Sequence, residues 1–128
     1  MRILVRDIMM APVKTTTADS DAAYLRELME RKEVHSIPIV EVLGEGEFKI
    51  KGIVTATDLR GQTDETVAAE DIMTTKVVVV SPDSSVQVAA RTMLYHYIHH
   101  LVVMDDDVIV GMLSSLDFVK LVAEREVD

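Results

Sequence analysis

The sequence contains the same eight-residue pattern twice. Gly52–Leu59 and Gly111–Phe118 both run glycine, two apolar residues, a hydroxyl residue, two variable positions, an aspartate and an apolar residue. The tripeptide Asp7–Met9 also returns as Asp71–Met73, 64 residues later, whereas the two glycines lie 59 residues apart. The first copy therefore carries five extra residues before its glycine. A period near 60 residues predicts two copies of one supersecondary unit.

Composition limits what two such copies can be. A unit of about 60 residues buries little apolar surface alone, so we expect the copies to share a core. Apolar residues make up 48% of the chain and aromatics only 4%, which predicts a core of Val, Ile, Leu, Ala and the eight methionines. A net charge of −9 argues against binding to nucleic acid or to anionic membranes. We expect a soluble, cytoplasmic protein, and the absence of cysteine excludes disulfides and thiol chemistry.

The second copy has clear secondary-structure signals. Val77–Val80 is an apolar run stopped by a Ser-Pro pair, which predicts a buried strand. Ser84 begins a capping-box pattern, so we expect a helix after it. Leu101–Met104 and Val108–Leu113 are predicted to form a hairpin, and a closing helix is predicted over Ser115–Glu124.

The first copy repeats that order. Val13–Thr17 is the predicted first strand, and Asp19 or Ser20 is the predicted cap of the helix that follows. Ile37–Val40 and Phe48–Val54 are predicted to pair across a longer hairpin, which accounts for the five extra residues. The predicted fold class is therefore α/β of the α+β type, with two tandem βαββα repeats.

This element order, together with a Gly-apolar-apolar-Thr/Ser-x-x-Asp signature in each copy, resembles the cystathionine-β-synthase (CBS) domain family. Asp7–Met9 and the strand His35–Ile39 are also similar to that family. The resemblance covers residues 6–123 and implies a stand-alone tandem CBS protein, a Bateman module, whose repeats pack with pseudo-two-fold symmetry. Repeat 1 is predicted over residues 1–61, a linker over 62–68 and repeat 2 over 69–128.

Asp58 and Asp117 are predicted to lie where the last strand of each repeat passes into a helix. A carboxylate there accepts hydrogen bonds from ribose hydroxyls in other nucleotide-binding folds. It also serves equally well as an N-cap of its own helix. The residues alone leave both interpretations open, and the CBS resemblance favours contact with ribose.

Thr55 and Ser114 precede those aspartates by three residues. A hydroxyl beside helix-start amides makes a small phosphate cradle, although it also satisfies local backbone groups at a strand end. The resemblance implies that both hydroxyls face an α-phosphate. It further implies that a base packs against Ile53 and Met112 and against the backbone around Ala11–Val13 and Thr75–Val77. The residues alone favour a plain core role for the apolar ones: Ile53, Met112, Val13 and Val77.

His35 and His99 occupy equivalent positions before the second strand of each repeat. The resemblance implies that His99 faces the phosphate of the Asp58 site and that His35 faces that of the Asp117 site. The alternative is a partly buried histidine with a backbone partner. The sequence His96-x-x-His99-His100 has the spacing of a metal site, but no carboxylate or cysteine lies at ligand spacing, so no metal is expected.

CBS repeats that bind polyphosphates commonly carry Arg or Lys just after the Thr/Ser. This chain has Ala56, Thr57, Ser115 and Leu116 at those positions. Because the chain is also acidic, AMP or a similar adenine nucleotide is the expected ligand rather than ATP. The alternatives are another adenosyl ligand, such as S-adenosylmethionine, and a ligand-free dimerisation scaffold.

The predicted function is regulatory: the pair senses a ligand in the cleft between its repeats and signals to an unidentified protein partner. No nucleophile–base pair or catalytic carboxylate pair can be assembled, so the chain is not expected to be an enzyme or to need a catalytic cofactor. Leu116, Val119 and Ala123 lie outside the apolar stripe that Phe118, Leu121 and Val122 form on the closing helix. A surface helix of a small domain needs only one apolar stripe, so these further apolar residues predict a partner surface. The resemblance also implies a homodimer.

Overall fold

The computed structural model describes residues 2–124, so Met1 and residues 125–128, at the outer ends of the two predicted repeats, lie outside the described residues. The chain divides into two compact units. The continuous unit is Lys14–Val77. The split unit combines Met1–Val13 with Val78–Asp128, of which residues 2–13 and 78–124 are described. The first Asp-Ile-Met segment therefore belongs to the same compact unit as the second glycine signature.

The continuous unit is a β-hairpin covered by helices. Strands β1 (Ser36–Gly44) and β2 (Glu47–Thr55) are antiparallel, with Ile37 opposite Val54 and Ile39 opposite Gly52. The first helix of the chain, α1 (Val5–Ile8), belongs to the split unit. The helices of the continuous unit are α2 (Ala22–Lys32), α3 (Ala56–Arg60) and α4 (Ala69–Ile72).

The split unit contains a three-stranded sheet made of β3 (Val79–Val80), β4 (His100–Asp105) and β5 (Val108–Ser114). In it β3 is parallel to β4, and β4 is antiparallel to β5. Its other helices are α5 (Val86–His96) and α6 (Ser115–Glu124). The helix predicted over Ser115–Glu124 is confirmed. The mixed α+β class is confirmed too, and no helix within residues 2–124 has the length and hydropathy needed to cross a membrane.

Each unit has its own aliphatic core. Leu25, Ile37, Ile39 and Val54 are fully buried in the continuous unit. The corresponding cluster of the split unit is built from Val5, Leu101, Val103 and Leu113. Complete burial of one such side chain stabilises the folded state by about 1.5–3 kcal/mol. The core is thus aliphatic, as the composition predicts, but the expectation that every methionine belongs to it is wrong, because Met10 is 45% exposed.

Both predicted helix caps are wrong by one or two residues. Asp21 caps α2 by accepting a hydrogen bond from the backbone nitrogen of Tyr24, and Ser85 caps α5 in the same way. Ser84 instead lies in the turn that begins at Ser81, where its backbone nitrogen donates a 3.1 Å bond to the Ser81 oxygen, and the N-cap position falls on Ser85.

The first strand of each repeat is shorter than predicted. Val13–Thr17 forms only one bridge, from Thr16 to Ile39, because Pro38 has no N–H to extend the parallel ladder. The equivalent residue in the split unit is Val102, whose backbone nitrogen donates a 3.2 Å bond to Val78. With that additional bond, Val79 and Val80 pair with β4 and form the strand β3. This strand is still shorter than the predicted Val77–Val80.

Candidate functional site

The junction between β2 and α3 brings the first predicted hydroxyl–aspartate pair together. Thr55 is the N-cap residue of α3, and its hydroxyl oxygen accepts a 3.2 Å bond from the backbone nitrogen of Asp58. The Asp58 carboxylate accepts a 2.8 Å bond in return, from the backbone nitrogen of Thr55 to Oδ2. The pair therefore forms a reciprocal capping box.

The junction between β5 and α6 holds the second pair in a related geometry. The backbone nitrogen of Ser114 donates a 2.8 Å bond to Oδ2 of Asp117. The Ser114 hydroxyl also donates to that oxygen at 3.3 Å. In each predicted pair, the backbone nitrogen of the hydroxyl residue thus donates a hydrogen bond to one carboxylate oxygen of the aspartate.

The capping bonds occupy only one of the two oxygens of each aspartate carboxylate. Among the described residues, no donor reaches Oδ1 of Asp58 or Asp117, and both residues are half-buried. A carboxylate offers about four lone-pair sites, so one oxygen can bond the backbone while the other accepts from a ligand hydroxyl. The capping role is therefore established by geometry, and it is compatible with the predicted ribose contact.

The signature glycines allow each Asp-Ile-Met segment to approach the last strand. A Cβ on Gly52 would lie 2.8 Å from the backbone oxygen of Thr74, and one on Gly111 would lie 2.5 Å from Sδ of Met9. Ile53 and Thr74 exchange two backbone hydrogen bonds of 2.9 Å. The segments that follow the methionines are thereby held beside the predicted sites.

The split unit repeats this arrangement. Met10 donates a 2.8 Å backbone bond to Met112 and accepts one of 3.0 Å from it. Met112 and its counterpart Ile53 are both buried, whereas Val13 and Val77 are half-buried. Core packing is thus a confirmed role of Ile53 and Met112, and contact with a base stays a prediction for all four apolar residues.

A cavity of about 560 Å³ lies in the split unit between α1, the residues after it, and α6. This volume is within the range of small-molecule sites. Asp117 lines it, which places one of the predicted site residues at a concave surface. The other lining residues include Asp7, Met9, Lys120, Leu121 and Glu124.

The charge of this cavity is unbalanced. Three carboxylates, those of Asp7, Asp117 and Glu124, line it with one ammonium, that of Lys120. Sequence reasoning missed Glu124 as a site residue. Its spacing from Asp117, seven residues along α6, is the signal that could have found it, because residues seven apart share a helix face.

The two histidines lie beside the same helix starts. The backbone oxygen of His35 accepts a 2.8 Å bond from Ala56, and that of His99 accepts a 2.9 Å bond from Ser115. Both residues are exposed. Their assignment to the aspartate of the opposite repeat stays a prediction.

The histidine-rich end of α5 has no metal-binding geometry within residues 2–124, where no three His, Asp or Glu side chains converge. The helix ends at His96, whose ring packs edge-on against Tyr95 with centroids 4.9 Å apart. His99 and His100 follow the left-handed residue Tyr97, so they do not share a helix face with His96.

These paired signatures agree with the comparison with known families: the CBS domain profile matches residues 5–62 and again residues 69–124. The chain belongs to the CBS domain family. A curated relative, the uncharacterized protein MJ1225 of Methanocaldococcus jannaschii, is 30% identical over 92% of this chain. The chain spans only 42% of that relative's length.

Solved CBS structures share the fold. The CBS domain pair of protein MJ0100, in complex with 5′-methylthioadenosine and S-adenosyl-L-methionine, has a TM-score of 0.87 and 26% identity, covering 98% of this chain and all of that one. A hexameric CBS-CP12 protein from bloom-forming cyanobacteria has a TM-score of 0.82 and 25% identity, covering 100% of this chain and 78% of that one. CBS pairs are regulatory ligand-binding modules.

Proposed function

We propose that this CBS pair is a regulatory module that binds an adenine nucleotide, AMP in preference to ATP, and signals its occupancy to a protein partner. The observation that carries this is the matched pair of strand–helix junctions, Thr55 to Asp58 and Ser114 to Asp117. In each junction one carboxylate oxygen holds the backbone and the other is available to a ribose hydroxyl. Because both junctions leave one carboxylate oxygen of the aspartate as a free acceptor, a ligand-binding role for the aspartates is favoured over capping alone.

The preference for one phosphate follows from charge. The two positions after each hydroxyl residue hold no Arg or Lys, and the chain has a net charge of −9. The Asp117 cavity adds two further carboxylates, those of Asp7 and Glu124, against Lys120 alone. Each additional phosphate charge is therefore expected to weaken binding.

A second candidate ligand is a neutral or cationic adenosyl compound of the S-adenosylmethionine or 5′-methylthioadenosine type. Two observations favour it. The CBS pair of protein MJ0100 binds both compounds, and the Asp117 cavity here has more carboxylates than ammonium groups. A sulfonium or amine would be stabilised by that lining. Either ligand would use the same aspartates for its ribose.

We also propose that the chain forms a homodimer and has no catalytic role. Apolar side chains on α6, among them Leu116, Val119 and Val122, remain exposed. Self-association in the family is illustrated by the hexameric CBS-CP12 protein. A ligand-free dimerisation scaffold is the outcome if no adenosyl compound binds.

The ribose role is tested by Asp58→Asn and Asp117→Asn, separately and together. Asparagine keeps one oxygen to accept the backbone bond of the cap, but it leaves an NH₂ group where the free carboxylate oxygen was. Loss of a charge-assisted bond costs about 1.5–3 kcal/mol, so we expect roughly tenfold or greater weakening at the altered site. Isothermal titration calorimetry with AMP and with S-adenosylmethionine measures the change.

The matched control is Asp107→Asn, in the exposed turn between β4 and β5, which should bind as the original chain does. Asp58→Ala and Asp117→Ala complete the series, because alanine also removes the carboxylate that accepts the backbone bond from Thr55 or Ser114 and should cost about 1 kcal/mol of stability. If the double Asn variant binds both ligands with unchanged affinity, the two aspartates are caps and nothing more.

A further inference from the structure

The helix α2 carries an arginine that binds the end of α3 and the residues after it. Nη2 of Arg26 donates hydrogen bonds to the backbone oxygens of Leu59 and Gln62, at 2.9 and 2.6 Å. Nε of Arg26 donates to Oε1 of Glu65 at 2.8 Å. The planar guanidinium offers its donors in a fixed arrangement, so it holds these acceptors in one geometry. We call residues 59–65 the clamped segment.

The helix α3 depends on groups outside it because it has only five residues. An isolated helix needs about 12–15 residues to be stable in water, since its first turn orders several residues for a single hydrogen bond. The start of α3 is held by the capping box of Thr55 and Asp58. Near its end, the Leu59 oxygen accepts from Arg26 and from the backbone nitrogen of Gln62. Arg26 thus supplies side-chain support to the carboxyl end of α3.

The clamp acts next to the aspartate that is predicted to bind ribose. Asp58 is the third residue of α3, and Leu59 follows it directly. The aliphatic core fixes the Leu59 side chain, and Arg26 fixes the Leu59 carbonyl group. Because Asp58 and Leu59 are adjacent residues of one short helix, a change in the position of Leu59 also changes the direction of the Asp58 carboxylate. The geometry of that carboxylate therefore depends on the clamp.

The second repeat has an alanine where the first has the clamping arginine. The residue 64 positions after Arg26 is Ala90. The helix α6 runs for ten residues, and Glu124, which lies 59 positions after Glu65, is its last residue. A helix of ten residues closes several backbone bonds of its own, so it needs less support at its end than α3 does. The arginine and the short final helix thus occur together in the first repeat.

We propose that Arg26 is a positioning residue of the Asp58 site, and that occupancy of this site is transmitted through Arg26 to the clamped segment. This inference rests on the proposed function, because it takes Asp58 to bind the ribose of the ligand. Linkage makes the effect reciprocal: if the clamp raises the affinity of the site, the bound ligand stabilises the clamp by the same factor. Residues 62–65 belong to the predicted linker, so binding at Asp58 reaches the linker within one compact unit.

Two backbone hydrogen bonds report on this transmission. The nitrogens of Ala22 and Ala23, at the start of α2, donate to the oxygens of Val67 and Glu65 at 2.9 and 3.1 Å. These amides exchange with solvent when the linker leaves α2. Hydrogen–deuterium exchange at Ala22 and Ala23 therefore measures how firmly the linker is held, with and without a ligand.

The test is Arg26→Gln in two backgrounds, with AMP and S-adenosylmethionine as the probes. In the Asp117→Asn background, which retains the Asp58 site, we expect calorimetry to show about five- to thirtyfold weaker binding. In the Asp58→Asn background, the same substitution should leave the affinity of the Asp117 site unchanged. Arg26→Lys keeps a cationic donor without the planar geometry, so it should restore part of the affinity. Each probe should slow exchange at Ala22 and Ala23 in the original chain and much less in Arg26→Gln.

The matched control is Arg31→Gln, which removes the same charge from the same helix. Arg31 is exposed and pairs with Glu27 at 3.8 Å. This variant should keep both the original affinity and the original exchange rates. A second variant, Glu65→Gln, removes one charged acceptor of the clamp and should weaken AMP binding by about two- to fivefold. Its effect on net charge has the opposite sign and would strengthen the binding of an anion, so weakening identifies the clamp.

Three results would overturn the role of Arg26. They are unchanged affinity of the Asp58 site in Arg26→Gln, equal weakening by Arg31→Gln, and equal weakening of the Asp117 site. If Arg26→Gln does not fold, Glu65→Gln decides, and unchanged or stronger AMP binding by that variant overturns the inference. If neither probe binds the original chain, the proposed function itself is overturned, and this inference with it.

Discussion

Gly52→Ala should destabilise the chain by about 2–3 kcal/mol, near the upper end for overpacking of a core position. The added Cβ would lie 2.8 Å from the backbone oxygen of Thr74 and 2.7 Å from Sδ of Met73. Thr74 cannot retreat without breaking the two hydrogen bonds that it exchanges with Ile53. Chemical and thermal unfolding should show a lower midpoint, by about 10 °C for a chain of this size.

Two other glycines give a graded control. At Gly111 the nearest atom is the flexible Sδ of Met9 and the backbone oxygen of Met10 is 3.2 Å away, so Gly111→Ala should cost less than Gly52→Ala. Gly61 has φ −84° and no atom within 4 Å of its Cβ position, so Gly61→Ala should be neutral or slightly stabilising. Equal melting temperatures for the three variants would contradict the close approach at Gly52.

AMP should raise the melting temperature by roughly 10 °C at a hundred times its dissociation constant, and ATP should raise it less at the same concentration. Binding at that saturation adds about 2.7 kcal/mol to the free energy of unfolding for one site. ATP brings more negative charge to a cavity that already contains Asp7, Asp117 and Glu124. Differential scanning fluorimetry with and without Mg²⁺ measures both shifts, because the ion masks part of the phosphate charge.

The panel also contains ADP, S-adenosylmethionine and 5′-methylthioadenosine. The double variant Asp58→Asn with Asp117→Asn is the matched control and should lose most of every shift. A larger shift with ATP than with AMP in the absence of Mg²⁺ would refute the charge argument. A larger shift with S-adenosylmethionine would favour the second candidate ligand, and no shift with any compound would favour the scaffold.

The sequence by itself determined the features that depend on local chemistry. Two copies of a glycine, a hydroxyl and an aspartate at fixed spacing predicted two strand–helix junctions, and both junctions are present. The capping alternative named the aspartates as N-caps, but the structure makes Thr55 the N-cap and places Asp58 three residues later, where its carboxylate accepts from the Thr55 nitrogen. The aliphatic core and the closing helix Ser115–Glu124 likewise follow from composition and periodicity.

Long-range packing decided the rest. Nothing local assigns residues 1–13 to the unit of the second signature, because that pairing depends on backbone bonds between Met10 and Met112, about a hundred residues apart. The length of each first strand depends on a difference between Pro38 and Val102 that matters only once a second strand lies beside each. The local sequence determines which hydrogen-bonding and apolar groups a residue carries. The packing of distant segments determines which groups those contact in the folded chain.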